Sequence, residues 1–255
     1  MRIALKFAYN GIDFHGLSRQ PNIKTIEGKI INSVLQKELI KEVKNSNIRF
    51  ASRTDKGVSA IGNVLAIDLR DEINFLKEFY DEFDDIVFYG IANVDSTFNP
   101  RHAKKRVYRY YISNDHQIND LIDLIEIFKG EHDFSNFARI EKDKSPVKKI
   151  DAISIRERDG FCCIEFFAQS FLWHQIRKMI SALFKAEKGK ISSNDIVGAL
   201  DNPDKKIDFG MASSEPLVLF DVNYDLDFEY SNNALEKLSI FKINLLNDIF
   251  KYHVG

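Results

Sequence analysis

Residues 50–69, FASRTDKGVSAIGNVLAIDL, place a charged loop between two apolar, strand-like runs. Arg53, Asp55, Lys56 and Gly57 all fall within this loop, and a plain hairpin turn does not require so much charge at its tip. Taken alone, Asp55 is explained equally well as an exposed turn aspartate or as a functional carboxylate. The stretch therefore predicts a strand–loop–strand unit whose loop is a candidate site.

The sequence on both sides of this loop predicts a β-α-β-β-α-β unit. Apolar residues recur with helical spacing after the first strand, and Thr25 is a suitable N-cap for that helix. The predicted elements are, in order, strand 2–9, helix 25–39, strands near 48–51 and 63–69, helix 72–82 and strand 85–94.

The second half of the chain repeats this order. Its predicted elements are strand 106–113, a helix over 118–130 ended by Gly130, a hairpin over 150–169 turning at Asp159-Gly160, helices 171–189 and 193–200, and a closing strand over 217–224. Two such halves define an α+β fold of two ferredoxin-like (βαββαβ) units, with antiparallel sheets and helices on one face. The expected domains are residues 1–100, residues 101–224 and a C-terminal helical extension over 225–255.

Within the C-terminal extension, NNALEKLSIFKINLLNDIFKYH (232–253) is predicted to be an amphipathic helix that docks on the protein body; a partner surface is the less favoured explanation. Its apolar residues at helical spacing are Leu235, Leu238, Phe241, Leu245 and Ile249.

Composition limits the function classes. The formal net charge of −2 favours no partner, yet residues 101–109 hold five Lys or Arg, and a near-neutral total can hide a basic groove. No apolar run is long enough to span a membrane and no secretory signal is visible, so a cytoplasmic protein without a membrane partner is expected. The adjacent Cys162 and Cys163 point to opposite faces of a strand and are expected to be small apolar residues in a reducing compartment.

Common cofactor signatures are absent from the sequence. It contains no Gly-rich phosphate loop and no H-E-x-x-H motif, and the six histidines stand apart without ligand spacing. We therefore expect no metal and no cofactor. The stretch DGFCCIEFF (159–167) partly matches an RNA-recognition strand, but a strand covered on both faces explains its apolar residues better.

Two further features carry charge beside apolar surface. Helical spacing over 171–185 puts Arg177 at the edge of one apolar arc made by Trp173, Ile176, Ile180, Leu183 and Phe184. A partly buried arginine requires a partner, and a carboxylate from another part of the fold suits its planar guanidinium best. Strand alternation puts Arg106, Tyr108 and Tyr110 on one face, which suits RNA contact and an amphipathic strand equally well.

Together these features resemble the tRNA pseudouridine synthase A family. The loop ASRTDKGVSA (51–60) is similar to that family's A-G-R-T-D-x-G-V-H-A loop, which carries its essential aspartate. RVYRYYI (106–112) is similar to its R-x-Y-R-Y strand, and SFLWHQIRKMISAL (170–183) to its F-L-x-H-M-V-R-x-I-V-G-x-L helix. YNGIDFHGLSRQPNIKTIEGKI (9–30), STFNPRHA (96–103) and EHDFSNFA (131–138) also match, so the resemblance runs from about residue 3 to residue 224.

The resemblance implies the role of each matching position. Asp55 is the essential carboxylate, Tyr108 stacks on the target uracil, and Arg177 is the ionic partner of Asp55. The residues expected to bind substrate are Arg53, Lys56, Arg19, Gln20, Arg101, His102, Arg106 and Leu217, of which Leu217 lines the base pocket. The sequence departs from the family pattern at Ser59, Leu17, Ser18, Gln175 and Ile176, which puts RNA contacts in doubt more than chemistry.

The resemblance also implies the activity: cofactor-free isomerisation of uridine to pseudouridine in the tRNA anticodon stem-loop, at positions 38–40. It implies a homodimer with a basic cleft between the two halves of each chain. Two other interpretations stay open. One is a non-catalytic RNA-binding protein, which gives Asp55 and Arg177 no reason to meet; the other is a hydrolase using Asp55, which should need a second carboxylate or a metal.

Overall fold

The computed structural model of the protein describes residues 1–71, 73–113, 116, 118–158 and 161–253. The predicted turn at Asp159-Gly160 and the first residue of the predicted helix over 72–82 lie outside this range. The chain is a mixed α+β protein that divides into two units, Met1–Lys104 with the chain from Val218 onward, and Lys105–Leu217. The predicted domains of 1–100, 101–224 and 225–255 stay a prediction.

The first unit contains a sheet covered by helices. Its elements are β1 (Arg2–Tyr9), α1 (Ile26–Gln36), β2 (Arg49–Phe50), β3 (Ser59–Asp68), α2 (Phe75–Glu78), β4 (Ile86–Asn93), most of β10 (Leu217–Asn223), β11 (Glu229–Tyr230) and α6 (Asn232–His253). The strand β1 pairs antiparallel with β3 on one side and β4 on the other, and β2 pairs antiparallel with β3. These strands therefore follow the order β4-β1-β3-β2.

One pairing departs from the predicted antiparallel sheets. Val218 and Leu219 of β10 lie parallel to Ser59 and Ala60 of β3, so this strand extends the sheet of the first unit. Leu219 and Ala60 are fully buried, which explains the apolar run of this strand.

The helix predicted over 72–82 is much shorter, with four residues in α2. Asn74 caps it by accepting a hydrogen bond from the Lys77 amide, and the Phe75 and Phe79 rings stack with centroids 4.1 Å apart. Both rings pack edge-on against Phe88 of β4. The aromatic rings of this stretch therefore pack on the sheet, and the chain leaves the helical conformation at Phe79.

The C-terminal helix α6 begins and ends where the sequence predicted. Leu238, Phe241, Leu245 and Ile249 are buried, and the helix packs against β4. The extension therefore docks on the first unit, as expected.

The second unit contains a three-stranded antiparallel sheet in the order β5-β9-β8 and a separate hairpin. Its elements are β5 (Lys105–Ile112), α3 (Ile118–Ile125), β6 (Gly130–Asp133), β7 (Val147–Ile150), β8 (Ala152–Arg158), β9 (Phe161–Ala168), α4 (Gln175–Glu187) and α5 (Ser193–Asp201). The hairpin of β6 and β7 was not predicted, because its strands are four residues long and largely polar.

The strand β9 is buried on both faces. Cys162, Cys163, Ile164 and Phe166 all have less than a tenth of their surface exposed. A covered strand, not an RNA-stacking one, thus accounts for its apolar sequence. Both cysteines are unpaired thiols.

The helix α4 begins at Gln175, four residues later than predicted. His174 has a left-handed backbone with φ of 65°, which ends the preceding segment, and the Gln175 side chain accepts a hydrogen bond from the Leu172 amide at 2.8 Å. Trp173 therefore does not belong to the apolar arc of the helix, and 40% of its surface is exposed. No helix among the described residues is long and apolar enough to cross a membrane.

Candidate active site

The loop that carries Asp55 is fixed by hydrogen bonds to its backbone. The Leu17 amide donates to the Thr54 carbonyl at 3.1 Å, and the Gly57 amide donates to the Phe14 carbonyl at 3.2 Å. The Val58 amide closes the turn by donating to the Asp55 carbonyl at 3.1 Å. The segment around residues 14–17 therefore holds the loop from one side.

Two glycines make this contact possible. Gly57 has φ of 81° and Gly16 has φ of 93°, a conformation that favours glycine. A Cβ on Gly16 would lie 2.9 Å from the Thr54 carbonyl oxygen and 3.2 Å from the Asp55 carbonyl carbon. A side chain at residue 16 would thus push the loop away.

Buried polar side chains of β1 and β3 also hold the loop. The Tyr9 hydroxyl and the Thr54 Oγ1 share a buried hydrogen bond of 2.7 Å. Asn63 donates from Nδ2 to the Ser52 carbonyl at 3.0 Å and accepts at Oδ1 from the Ser52 amide at 3.3 Å. Tyr9 and Asn63 are fully buried, so these bonds are shielded from water and hold the residues flanking Arg53 and Asp55.

A register shift in β1 accompanies this arrangement. Phe7 lies opposite Asn63 of β3, but Tyr9 lies opposite Ala60, so one strand carries an extra residue between the two pairs. Such irregularities re-aim side chains at the ends of strands. Ser59, which departs from the family pattern, is fully buried and accepts a hydrogen bond from the Gly11 amide at 2.9 Å.

The side chains at the tip of the loop differ in exposure. Arg53 and Lys56 are exposed, whereas Asp55 is half-buried. The fixed backbone therefore presents one carboxylate flanked by two exposed cations, a suitable arrangement for an acid that acts beside a phosphate backbone.

The other predicted residues of the first unit lie on exposed loops. Arg19, Gln20, Arg101 and His102 are all exposed. The Arg19 amide donates to Glu27 at 2.7 Å and the Arg101 amide donates to Asn99 at 3.2 Å, so the backbones of both loops are held by local side chains.

In the second unit, Tyr108 lies on β5 opposite Phe166 of β9. Its ring meets that of Phe171 edge-on, with centroids 5.3 Å apart, and 9% of its surface is exposed. Two positions earlier, the guanidinium of Arg106 donates to the Gln169 carbonyl, and this side chain is also buried. The strand face thus carries a positioned aromatic ring and a positioned cation, not the solvated end of an amphipathic strand.

Arg177 is anchored on α4 by a segment of the same unit. Its Nε donates to the Ala212 carbonyl at 2.8 Å, and its own carbonyl accepts from the Ala212 amide at 3.1 Å. Burial raises the pKa of the Tyr110 hydroxyl, while the charge of Arg177 acts to lower it and that of Glu215 to raise it. Both charged groups therefore lie near Tyr110. Glu215 is a carboxylate outside all the sequence motifs that indicated the site.

Leu217 is buried at the first residue of β10, where its amide donates to the Ser214 carbonyl at 3.0 Å. Across the described ranges, no three His, Cys, Asp or Glu side chains are grouped so that they could hold a metal ion.

Sequence reasoning missed the groups that support the Asp55 loop, chiefly Tyr9, Asn63 and Gly16. Asn63 offered a signal, because it is an amide in a strand that is otherwise apolar from Val64 to Ile67. A buried amide in a core strand needs partners, and loop carbonyls and amides supply them here.

Comparison with known proteins identifies the family. A family model described as tRNA pseudouridine synthase matches residues 124–225. A tRNA pseudouridine synthase A from Thermococcus sibiricus is 40% identical over 248 residues, which cover 93% of this chain and 91% of that protein. The chain belongs to the tRNA pseudouridine synthase A family. The family predicted from the sequence motifs is confirmed, and with it the class of enzyme, an isomerase.

A second member of the family, from Methanothermobacter thermautotrophicus, is 32% identical and covers 99% of this chain. A match of that length includes nearly all of residues 225–255, so the similarity extends beyond the limit at residue 224 that the motifs indicated. A solved Cbf5-Nop10-Gar1 complex is 13% identical, covers 71% of this chain and 44% of the solved chain, and has a TM-score of 0.35, too low to bear on fold or function.

Proposed function

We propose that this tRNA pseudouridine synthase converts uridine to pseudouridine in the anticodon stem-loop of tRNA, with the carboxylate of Asp55 carrying the reaction. The fixed conformation of the Asp55 loop is the observation that best supports the proposal. An exposed turn aspartate needs no buried Tyr9–Thr54 hydrogen bond and no glycine contact beneath it. A reacting group needs both, because small displacements of a catalytic group cost large factors in rate.

The reaction is an isomerisation and needs no external reactant. The bond between N1 of uracil and C1′ of ribose breaks, the uracil turns, and a bond forms between C5 and C1′. C5 loses its proton to solvent and N1 gains one, so atoms and charge balance. Asp55 must be ionised to act on the sugar as a nucleophile or base.

Tyr108 and Arg177 complete the proposed site. We assign to Tyr108 a stacking contact with the target uracil, which its contact with Phe171 would orient. We assign to Arg177 an ion pair with Asp55, because its anchored guanidinium is suited to holding a carboxylate. Leu217 is assigned to the base pocket.

RNA binding is assigned to exposed basic and polar side chains, together with the buried Arg106. Turning the target base out of its stack costs a few kcal/mol, which phosphate contacts can offset. The groups proposed for these contacts are Arg53, Lys56, Arg19, Gln20, Arg101, His102 and Arg106. The proposal also includes two ferredoxin-like halves, and the strand order β4-β1-β3-β2 of the first unit supports this part. It further includes a basic cleft, a homodimer and a cytoplasmic location.

The test is tritium release from tRNA transcribed with uridine labelled at C5. We expect release by the wild-type protein and by Asp84→Asn, which removes an exposed carboxylate of the same unit, but none by Asp55→Asn. A tRNA whose uridines at positions 38–40 are replaced by cytidine should release no tritium. Equal release by Asp55→Asn would remove Asp55 from the mechanism.

The alternative of a non-catalytic RNA-binding protein is distinguished in the same assay. It predicts that wild-type protein binds tRNA without releasing tritium. Binding by filter retention, measured for wild type and Asp55→Asn together, should give similar affinities if the aspartate acts in chemistry and not in binding.

A further inference from the structure

We infer that Trp173, backed by Arg139, is a stacking platform for an unpaired nucleobase of the RNA substrate next to the target uridine. This inference rests on the proposed function. It concerns a contact that no motif of the chain predicted, because Trp173 was expected in the apolar arc of a helix.

The arrangement around Trp173 is that of a supported, partly exposed aromatic ring. The guanidinium carbon of Arg139 lies 4.2 Å from the Trp173 ring centroid, and the ring of His174 is 4.9 Å away. The Arg139 amide also donates to the Trp173 carbonyl at 2.8 Å, so the backbones of the two residues are fixed to each other. Arg139 is exposed, and 40% of the tryptophan surface remains accessible to solvent.

Such a pair matches the chemistry of nucleobase recognition. A guanidinium over one ring face is held by cation–π attraction, and accessible aromatic surface stacks on any base because every base has a π-face. Charge favours the same ligand: residues 139–149, RIEKDKSPVKK, contain five basic and two acidic side chains. Of these, Lys142, Lys144 and Lys149 are exposed. An RNA strand therefore fits this surface better than an apolar partner.

The position of the platform ties it to the proposed site within the second unit. Phe171, which contacts Tyr108, lies two residues before Trp173, and Arg177 lies on the first turn of α4 just after it. Because one short segment carries all three, a strand whose uracil stacks on Tyr108 would bring a neighbouring nucleotide to Trp173.

The chain offers a direct probe, because Trp173 is its single tryptophan. Its fluorescence is recorded while tRNA is added to the Asp55→Asn protein, which prevents turnover. We expect quenching by tRNA and by a single-stranded anticodon-loop oligoribonucleotide, and none by a fully paired RNA duplex of the same length, whose bases are not free to stack.

Affinity supplies the second measurement. Trp173→Ala should weaken tRNA binding about 5- to 100-fold, the range expected for loss of one base–aromatic stack. Trp173→Phe retains an aromatic face, and its tRNA affinity should stay within about threefold of wild type. The control Val197→Ala changes an exposed apolar residue on α5, and its tRNA affinity should stay within about twofold of wild type. In turnover, Trp173→Ala should raise KM and leave kcat within about threefold of wild type.

The outcomes separate this inference from the proposed function. Wild-type tritium release, together with unquenched fluorescence and equal tRNA affinity of Trp173→Ala and wild type, would overturn the platform and leave the proposed function standing. A wild-type protein that releases no tritium would overturn the proposed function. Quenching and the Trp173→Ala binding defect would still show whether the ring stacks on RNA.

Discussion

The buried hydrogen bond between Tyr9 and Thr54 predicts a coupled loss of stability and activity when it is removed. Tyr9→Phe deletes the hydroxyl that shares a 2.7 Å bond with Thr54 Oγ1 and lies 3.4 Å from the Nδ2 of Asn63. Phenylalanine keeps the ring in the core, so no cavity is expected. The variant leaves the buried Thr54 hydroxyl without this partner.

The size of the effect follows from that burial. Leaving a buried polar group unsatisfied costs about 1–3 kcal/mol. For a chain of this length that corresponds to a fall in Tm of about 2–12 °C. Activity should fall further than stability requires, because displacing a catalytic group by about 1 Å can cost about 10²-fold in rate.

Two assays test this reasoning. Thermal unfolding gives the stability change, and tritium release well below the variant's Tm gives the rate for folded protein. Tyr230→Phe, at a half-exposed tyrosine of the same unit, is the matched control and should change neither. The double variant Tyr9→Phe/Thr54→Val should be less destabilised than the sum of the single variants, because it removes both partners of the bond.

The reasoning would be refuted by either of two results. Additive destabilisation in the double variant would mean that the hydroxyls do not stabilise each other. A Tyr9→Phe protein with lowered Tm but wild-type tritium release at low temperature would mean that the bond supports the fold without positioning Asp55.

Three other predictions concern the second unit. Burial raises the pKa of the Cys163 thiol to about 11, so this thiol is protonated at pH 8. Its alkylation should therefore be roughly 10²-fold slower in the folded protein than in the unfolded protein. Equal labelling rates of the two forms, measured by mass spectrometry, would contradict this. Asn136→Ala removes hydrogen bonds to the Ala199 and Lys205 carbonyls and to the Ile207 amide. It should lower the free energy of unfolding, measured in urea, by about 3 kcal/mol or more. The control Asn202→Ala, at an exposed site, should lower it by less than about 1 kcal/mol. Arg177→Met should reduce tritium release at neutral pH by about 10²-fold, and Glu215→Gln should stay within about threefold of wild type; an equal loss in both would mean that Arg177 acts on Glu215 and not on Asp55.

The elements that the sequence predicted well have strong local patterns. The strand β1 and the helix α6 have the predicted bounds, because one is a mostly apolar run and the other has a clear apolar stripe. Thr25 caps α1 as expected, with its Oγ1 accepting from the Gly28 amide at 3.2 Å. In each case the pattern that made the prediction lies within a short stretch of the sequence.

The elements that were missed depend on distant contacts. The parallel pairing of β10 with β3 joins residues far apart in the chain, and periodicity carries no information about pairing partners. The helix over 72–82 was predicted too long, because Phe75 and Phe79 pack on Phe88 of β4 and the helix ends before Phe79. The start of α4 was misplaced because an apolar segment continues the helical pattern up to the left-handed His174.

The candidate site, too, was predicted only in part from the sequence. The charged loop could be located from its composition, and the family from its motifs. The support for the loop could not, because Tyr9 belongs to a strand that looks like ordinary core and the amide of Asn63 does not show which groups it binds. Only their burial shows that these polar groups face the loop and not solvent.

The most direct test of the central claim is the single-turnover rate of tritium release with enzyme in excess over tRNA, which measures chemistry free of binding and product release. The account predicts that Asp55→Asn binds tRNA as wild type does and releases tritium at least about 10²-fold more slowly. A single-turnover rate for Asp55→Asn within about threefold of wild type would contradict the claim that this carboxylate carries the isomerisation.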